Sequence, residues 1–229
     1  MISVLSDMMS YTFIVRAMIV GGLVALCSAL LGVSLVLKRY SMIGDGLSHV
    51  AFAALTIAVA MNVAPLYIST PIVTVAAIIL LRLSENSKIK GDSAIALIST
   101  VSIAIGVVVT ALTKGMNTDV YSYMFGSILA MSESDVYMSI ALSVVVIILF
   151  VFFYNKIFAV TFDESFAKAT GTRADAYNMI IAVLTAITIV VGMRIMGTML
   201  ISSLIIFPAL ISMRNFKTFK SVIICSAIV

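Results

Sequence analysis

The charged residues of this 229-residue chain are spaced so that long stretches between them carry no charge, and this spacing limits the fold more than any other feature. A helix crossing the hydrocarbon layer of a bilayer needs about 20 residues of apolar sequence. Uncharged windows run from Ala17 to Leu37, Val50 to Leu81, Ser93 to Thr113, Val136 to Asn155, Ala176 to Met193 and Ile195 to Met213, each bounded by ionisable residues. The second window holds 32 residues, with Asn62 and Pro65 near its middle, and reads as two helices joined by a tight turn. Seven spans follow. An eighth apolar run, Ser221 to Val229, has only nine residues and is too short to cross. The expected class is therefore all-α, a polytopic transmembrane helical bundle of seven to eight spans, because only helices satisfy every backbone polar group within one lipid-exposed segment.

Composition agrees and closes off other classes. Hydrophobic residues make up 62% of the chain and charged residues 10%, against roughly 45–50% and about 25% in soluble domains. The first span has no basic leader and no small-residue cleavage site after it, so it is expected to stay in the protein. Cys27 and Cys225 lie far apart inside apolar runs and read as ordinary buried thiols, not a disulfide framework. The net charge of +4 is explained by orientation, with no need for nucleic acid as a partner. Alternating the loops places Lys38, Arg39, Arg82, Lys88, Lys90, Lys156, Lys168, Arg173, Arg214, Lys217 and Lys220 on one face and leaves only Arg16, Lys114 and Arg194. Basic short loops stay in the cytoplasm, which predicts an N-terminus outside. Arg194, between the sixth and seventh spans, is expected to snorkel to the outer surface.

Two loops are longer than the rest. The outer one, Lys114 to Asp135, contains the uncharged stretch Val120 to Ser132, too short to span but apolar enough for a re-entrant or interfacial helix. The inner one, KIFAVTFDESFAKATGTRAD, has a helix-like centre in which Glu164 and Ala167 precede a helix-ending Gly171. Small residues there permit close approach by a partner, although a solvated amphipathic connector has the same pattern.

Residues able to carry chemistry are few. The only histidine, His49, follows Asp45 by four positions in SMIGDGLSHVAFAAL, a spacing that puts both side chains on one helical face. Imidazole nitrogen and carboxylate oxygen suit zinc or manganese, and ionisable groups at membrane depth are costly enough to point to function. The competing reading makes Asp45 a helix cap and His49 a partner of a backbone carbonyl. Two ligands also fall short of the four of a closed site, as suits a path that must release its cargo. The fifteen methionines are scattered and read as packing. No Gly-x-x-x-x-Gly-Lys-Ser/Thr loop occurs, so ATP hydrolysis is not expected of this chain and the energy must come from elsewhere.

The segments LVLKRYSMIGDGLSHVAFAAL, YSYMFGSILAMS, FDESFAKATG and VGMRIMGTMLISSLIIFPAL resemble, in that order, landmarks of the metal-type ABC transporter permeases that take up zinc and manganese. The resemblance implies a type II ABC importer permease fold, with residues 1–229 as one transmembrane permease domain and a cytoplasmic coupling loop at about 159–175. It implies a non-enzymatic subunit in a bacterial plasma membrane. Its expected partners are a cytoplasmic ABC ATPase, an extracellular or periplasmic metal-binding protein and a second permease copy in a homodimer. The transported divalent ion is cargo, with no permanently bound cofactor. By the same resemblance Asp45 and His49 line the metal route, and the loop carrying Phe162, Asp163, Glu164, Ala167 and Gly171 docks into the ATPase. Many members have Pro-Gly where this chain has Ala53-Ala54, so a less kinked helix is expected here. Two alternatives remain: a permease for metal chelates or cobalamin-type cargo, and an intramembrane aspartyl peptidase, which would need a second aspartate inside a span and Gly-x-Gly-Asp where Met42 stands.

Overall fold

A computed structural model describes residues 11–40, 42–86, 91–113, 125–126 and 133–229. Its helices are α1 (Thr12–Leu37), α2 (Ile43–Ala60), α3 (Pro65–Asn86), α4 (Gly91–Leu112), α5 (Glu133–Phe152), α6 (Tyr154–Phe162), α7 (Glu164–Ala169), α8 (Ala174–Asn215) and α9 (Phe219–Ile228), with no strand among the described residues. Six of them, α1 to α5 and α8, are long and apolar enough to cross a membrane. The expected turn inside the second charge-free window is present. There α2 stops at Ala60, Asn62 takes a left-handed φ of 54° and α3 begins on Pro65, since asparagine tolerates that backbone region and proline is at home in a first helical turn.

The 42 residues of α8 make two crossings. Gly197 has φ 80° and ψ 170°, a conformation essentially reserved for glycine. In an unbroken helix Gly192 and Ile201 would stand about 13.5 Å apart along the axis. Instead, a Cβ on Gly192 would lie 2.5 Å from the Ile201 side chain, so the chain folds back. The two halves then run in opposite directions along α1. Asn178 meets Lys38, Gly192 meets Val24 and Met196 meets Gly21 on the way out, and Ile205 meets Gly32 on the return. That gives seven crossings, the number read from the charge spacing.

The core forms where α1 lies against both halves of α8, with Leu31, Leu35, Leu184, Ile189, Ile201 and Ile205 fully buried. The closest approach is at Gly32, where a Cβ would come 2.0 Å from the Ile205 carbonyl oxygen. Small residues allow helices such contact, which is a main source of packing energy in a membrane. Gly32→Ala is therefore expected to destabilise the bundle by about 1–3 kcal/mol through overpacking, read as a lowered unfolding midpoint in detergent. Gly22→Ala on the same helix is the control, because nothing lies within 4 Å of its added carbon.

Helix α2 is laid against α4. A Cβ on Gly46 would be 2.6 Å from Ile95, and one on Gly106 would be 2.5 Å from the Phe52 ring. The opposite face of α4 presents Leu97, Val101, Ile105, Val108 and Leu112 outward. The chain continues as helix through Ala53 and Ala54, as expected without Pro-Gly. Both cysteines are free thiols.

The segment from Val120 to Ser132 lies outside the described residues except for Phe125 and Gly126. Gly126 has φ 77°, and its backbone abuts the turn of α8, where an added Cβ would meet the Ile195 carbonyl oxygen at 2.3 Å. Helix α9 is tied to α1 by a hydrogen bond from Ser226 Oγ to the Ala29 carbonyl.

Candidate functional site

Helix α2 starts at Ile43, so Asp45 lies in its first turn and His49 one turn later. The side chains share a face, with His49 Nε2 at 3.7 Å from Asp45 Oδ2. That is too long for a good hydrogen bond. It lies within a few tenths of an ångström of the roughly 3.4 Å edge that an imidazole and a carboxylate span when both bind one tetrahedral ion with bonds of about 2.0–2.2 Å. The side chains are 23% exposed for His49 and 48% for Asp45. No side chain caps the start of α2, and Ser48 Oγ donates to the Asp45 backbone carbonyl, not to its carboxylate. Among the described residues, then, no hydrogen bond supports the capping alternative. Among the described residues no third His, Cys, Asp or Glu joins the pair.

The inner loop folds as α6 followed by the six-residue α7. Asp163 caps α7 by accepting a hydrogen bond from the Phe166 amide at 2.9 Å. Gly171, at φ 83°, ends it, with its own amide on the Lys168 carbonyl and the Thr172 amide on that of Ala167. Ala167 is buried against Val160 and Ala174, whereas Phe162 and Phe166 stand exposed. The five residues singled out in this loop therefore fall within three successive turns, but they face different ways.

Glu164 turns inward. It receives Lys38 Nζ at 3.3 Å, Asn178 Nδ2 at 3.1 Å and Lys168 Nζ at 2.9 Å. Partial burial alone would push the carboxyl up; the hydrogen bonds from Lys168 and Asn178 and the Lys38 charge outweigh it and hold the group down at about 2. A depressed acid contributes stability that is present above its unfolded value and is lost as pH falls through its folded value. The stability difference between the native chain and Glu164→Gln should stay constant above about pH 5 and vanish on acidification from 4.5 toward about 2, measured as paired unfolding midpoints. Lys168, also bonded to Asp175 at 2.9 Å, is held above the usual lysine range by its hydrogen bonds to Glu164 and Asp175.

The sequence reading missed Lys38 and Asn178. Lys38 entered only as a basic loop residue, and no spacing rule links it to a glutamate 126 positions away. Arg194 is a correction. It does not snorkel: its side chain is 13% exposed and forms a 2.7 Å ion pair with Asp135 Oδ2, itself 11% exposed, beside the Gly197 turn. Held this far from solvent, the guanidinium is paired with a carboxylate instead of reaching outward.

Seven apolar helical passes around a glycine-packed core, with an acid and an imidazole on one face of α2 and a short helix packed at one end, describe a multi-pass membrane protein. The chain belongs to the ABC 3 transport family, which it matches over residues 10–229. It is 32% identical to a probable metal transport system membrane protein of Treponema pallidum over 88% of this chain and 75% of the relative. It is 29% identical to the high-affinity zinc uptake system membrane protein ZnuB of Haemophilus influenzae, over 90% of this chain and 79% of that protein. The solved structure of PsaBC from Streptococcus pneumoniae in complex with Fab superposes with a TM-score of 0.86 at 27% identity, covering 100% of this chain and 82% of that one. The fold is accordingly that of an ABC importer permease.

Proposed function

We propose that this permease carries a divalent transition metal ion, zinc or manganese, across a bacterial plasma membrane, and that Asp45 and His49 are the ligands of its path. The observation that carries this reading is the pair itself: two ligand types of the right chemistry, a metal's width apart and with no other polar partner among the described residues. A relative is a zinc uptake protein, and manganese accepts the same two donors. The half-exposed Asp45 carboxylate suits a route completed by a second copy of the chain, with two loose half-sites in place of one tight cage. Iron is a further candidate on the same chemistry.

The energy comes from a separate cytoplasmic ATPase that docks on the 159–175 loop, where exposed Phe162 and Phe166 are available. An extracellular or periplasmic binding protein delivers the ion, and residues 1–229 act as one permease domain. With the basic end inside, the N-terminus is outside and the Gly197 turn faces the delivering protein. Movement is then alternating access by rigid-body displacement of the two permeases.

The test is the metal content of cells with and without this gene, measured for zinc, manganese and iron. A specific deficit in one ion supports the reading and names the cargo; unchanged content of all three defeats it. Chelate or cobalamin cargo would have no use for a bare ligand pair and would show as uptake of the intact chelate. A peptidase would need a second carboxylate facing Asp45. Asp135, the one buried acid among the described residues, is instead paired with Arg194.

A further inference from the structure

We infer that Lys38 is the positioning residue through which α7 moves the helix carrying Asp45 and His49. The inference rests on the transport reading above and adds to it the route by which force enters the bundle.

Three elements meet at this lysine. It is the C-cap of α1, its side chain is 9% exposed, and its ammonium reaches Glu164 Oε2 of α7 and Asn178 Oδ1 of α8. Asn178 closes the triangle by donating its own amide to the same glutamate oxygen at 3.1 Å. Glu164, which the family resemblance made a contact for the ATPase, is engaged here with α1 and α8. The outward faces of the loop are left to Phe162 and Phe166. A six-residue helix has little hold of its own on a bundle. Here the charge triangle and the buried Ala167 fasten it.

The far side of the lysine is as tightly built. Four residues separate it from the start of α2 at Ile43, and hydrogen bonds tie the described ones to the helix ends on either side. The Arg39 amide bonds the Val36 carbonyl, the Tyr40 amide that of Leu35 and the Ile43 amide that of Tyr40. Arg39 takes a left-handed φ of 62°, which a side-chain-bearing residue keeps only when its surroundings hold it there. Tyr40 and Ile43 line, together with Lys38, Asn178 and Ile181, a cavity of about 10 Å³, room for no more than about one water. These bonds and the close packing tie Tyr40 and Ile43 to the surroundings of the lysine. A push on α7 passes through the ammonium to Arg39 and Tyr40, and by the Ile43 amide on the Tyr40 carbonyl into the first turn of α2, where Asp45 is. A static staple would hold the same parts together without linking their motion, and the two roles separate experimentally.

The decisive measurement uses the full transporter, with its ATPase and binding protein, in proteoliposomes. Lys38→Met keeps length and removes charge; Lys38→Arg keeps charge. The ratio of metal ions moved to ATP hydrolysed is expected to fall roughly tenfold in Lys38→Met, within the usual range of inter-site coupling. ATP hydrolysis should remain near the native rate, and Lys38→Arg should keep most of the native ratio. An unchanged ratio in Lys38→Met overturns the inference, as does a parallel loss of hydrolysis, which is what a staple predicts. A second arm does not depend on cargo. Spin labels at the exposed positions Met42 and Ser165 should keep one narrow separation throughout the ATP cycle and broaden in Lys38→Met. A native separation that changes with ATP overturns the linkage. If the native complex moves no divalent metal, the cargo reading fails alone and the label distances still decide the linkage.

Discussion

Cells whose transporter carries Asp45→Ala or His49→Ala are expected to lose metal accumulation by on the order of a hundredfold, with the permease still inserted and assembled. Even partners that only orient a metal ligand cost about 10–100-fold when removed, and here either change removes one of the two proposed donors. The pair is not a structural fastening. Its 3.7 Å separation is beyond hydrogen-bond length, and Asp45 is half exposed. Stability should therefore scarcely change, and the loss should appear in uptake alone. Native uptake by both variants would remove the chemical basis of the metal assignment. A stability loss matching the loss of uptake would make the pair a packing element.

Asp135→Ala should have the opposite signature. Arg194 and Asp135 join α8 to α5 at 2.7 Å, with 13% and 11% of their side chains exposed. Removing one member of a buried pair leaves the other as an uncompensated charge and costs about 3–5 kcal/mol. The expected result is a sharp fall in the unfolding midpoint and in the yield of folded protein. Replacing both residues together, for example Asp135→Leu with Arg194→Met, should recover much of that loss, because two apolar groups leave no stranded ion. A single Asp135→Ala variant as stable as the native chain would mean that Arg194 finds water at that site.

The spans were legible because membrane helices are written in lengths of charge-free sequence, which a reader can measure without knowing what packs where. The same ruler stops short of helix ends wherever an ionisable residue is carried within a helix. The charge-free window began at Val50, although the second span was read as starting with Asp45 and His49, and α2 begins at Ile43. The ruler divided the last two spans at Arg194, but the reversal is at Gly197, and Arg194 stays helical with its partner 59 positions earlier. The short helix α7 was legible through the glycine at 171 that follows it. What Glu164 faces was not, because that depends on α1 and α8 arriving at the same corner. Local rules reach about one helical turn along the chain, and the Lys38 triangle is closed by the fold.

The outward apolar face of α4 has a consequence for the membrane itself. Leu97, Val101, Ile105, Val108 and Leu112 face outward, where acyl chains would meet them in a bilayer, while the opposite face grips α2 through Gly46 and Gly106. A bilayer a few ångströms thinner or thicker than the helix prefers is accommodated by tilt. Tilting α4 drags its neighbour along, so acyl-chain length becomes a physical input to the geometry around Asp45 and His49.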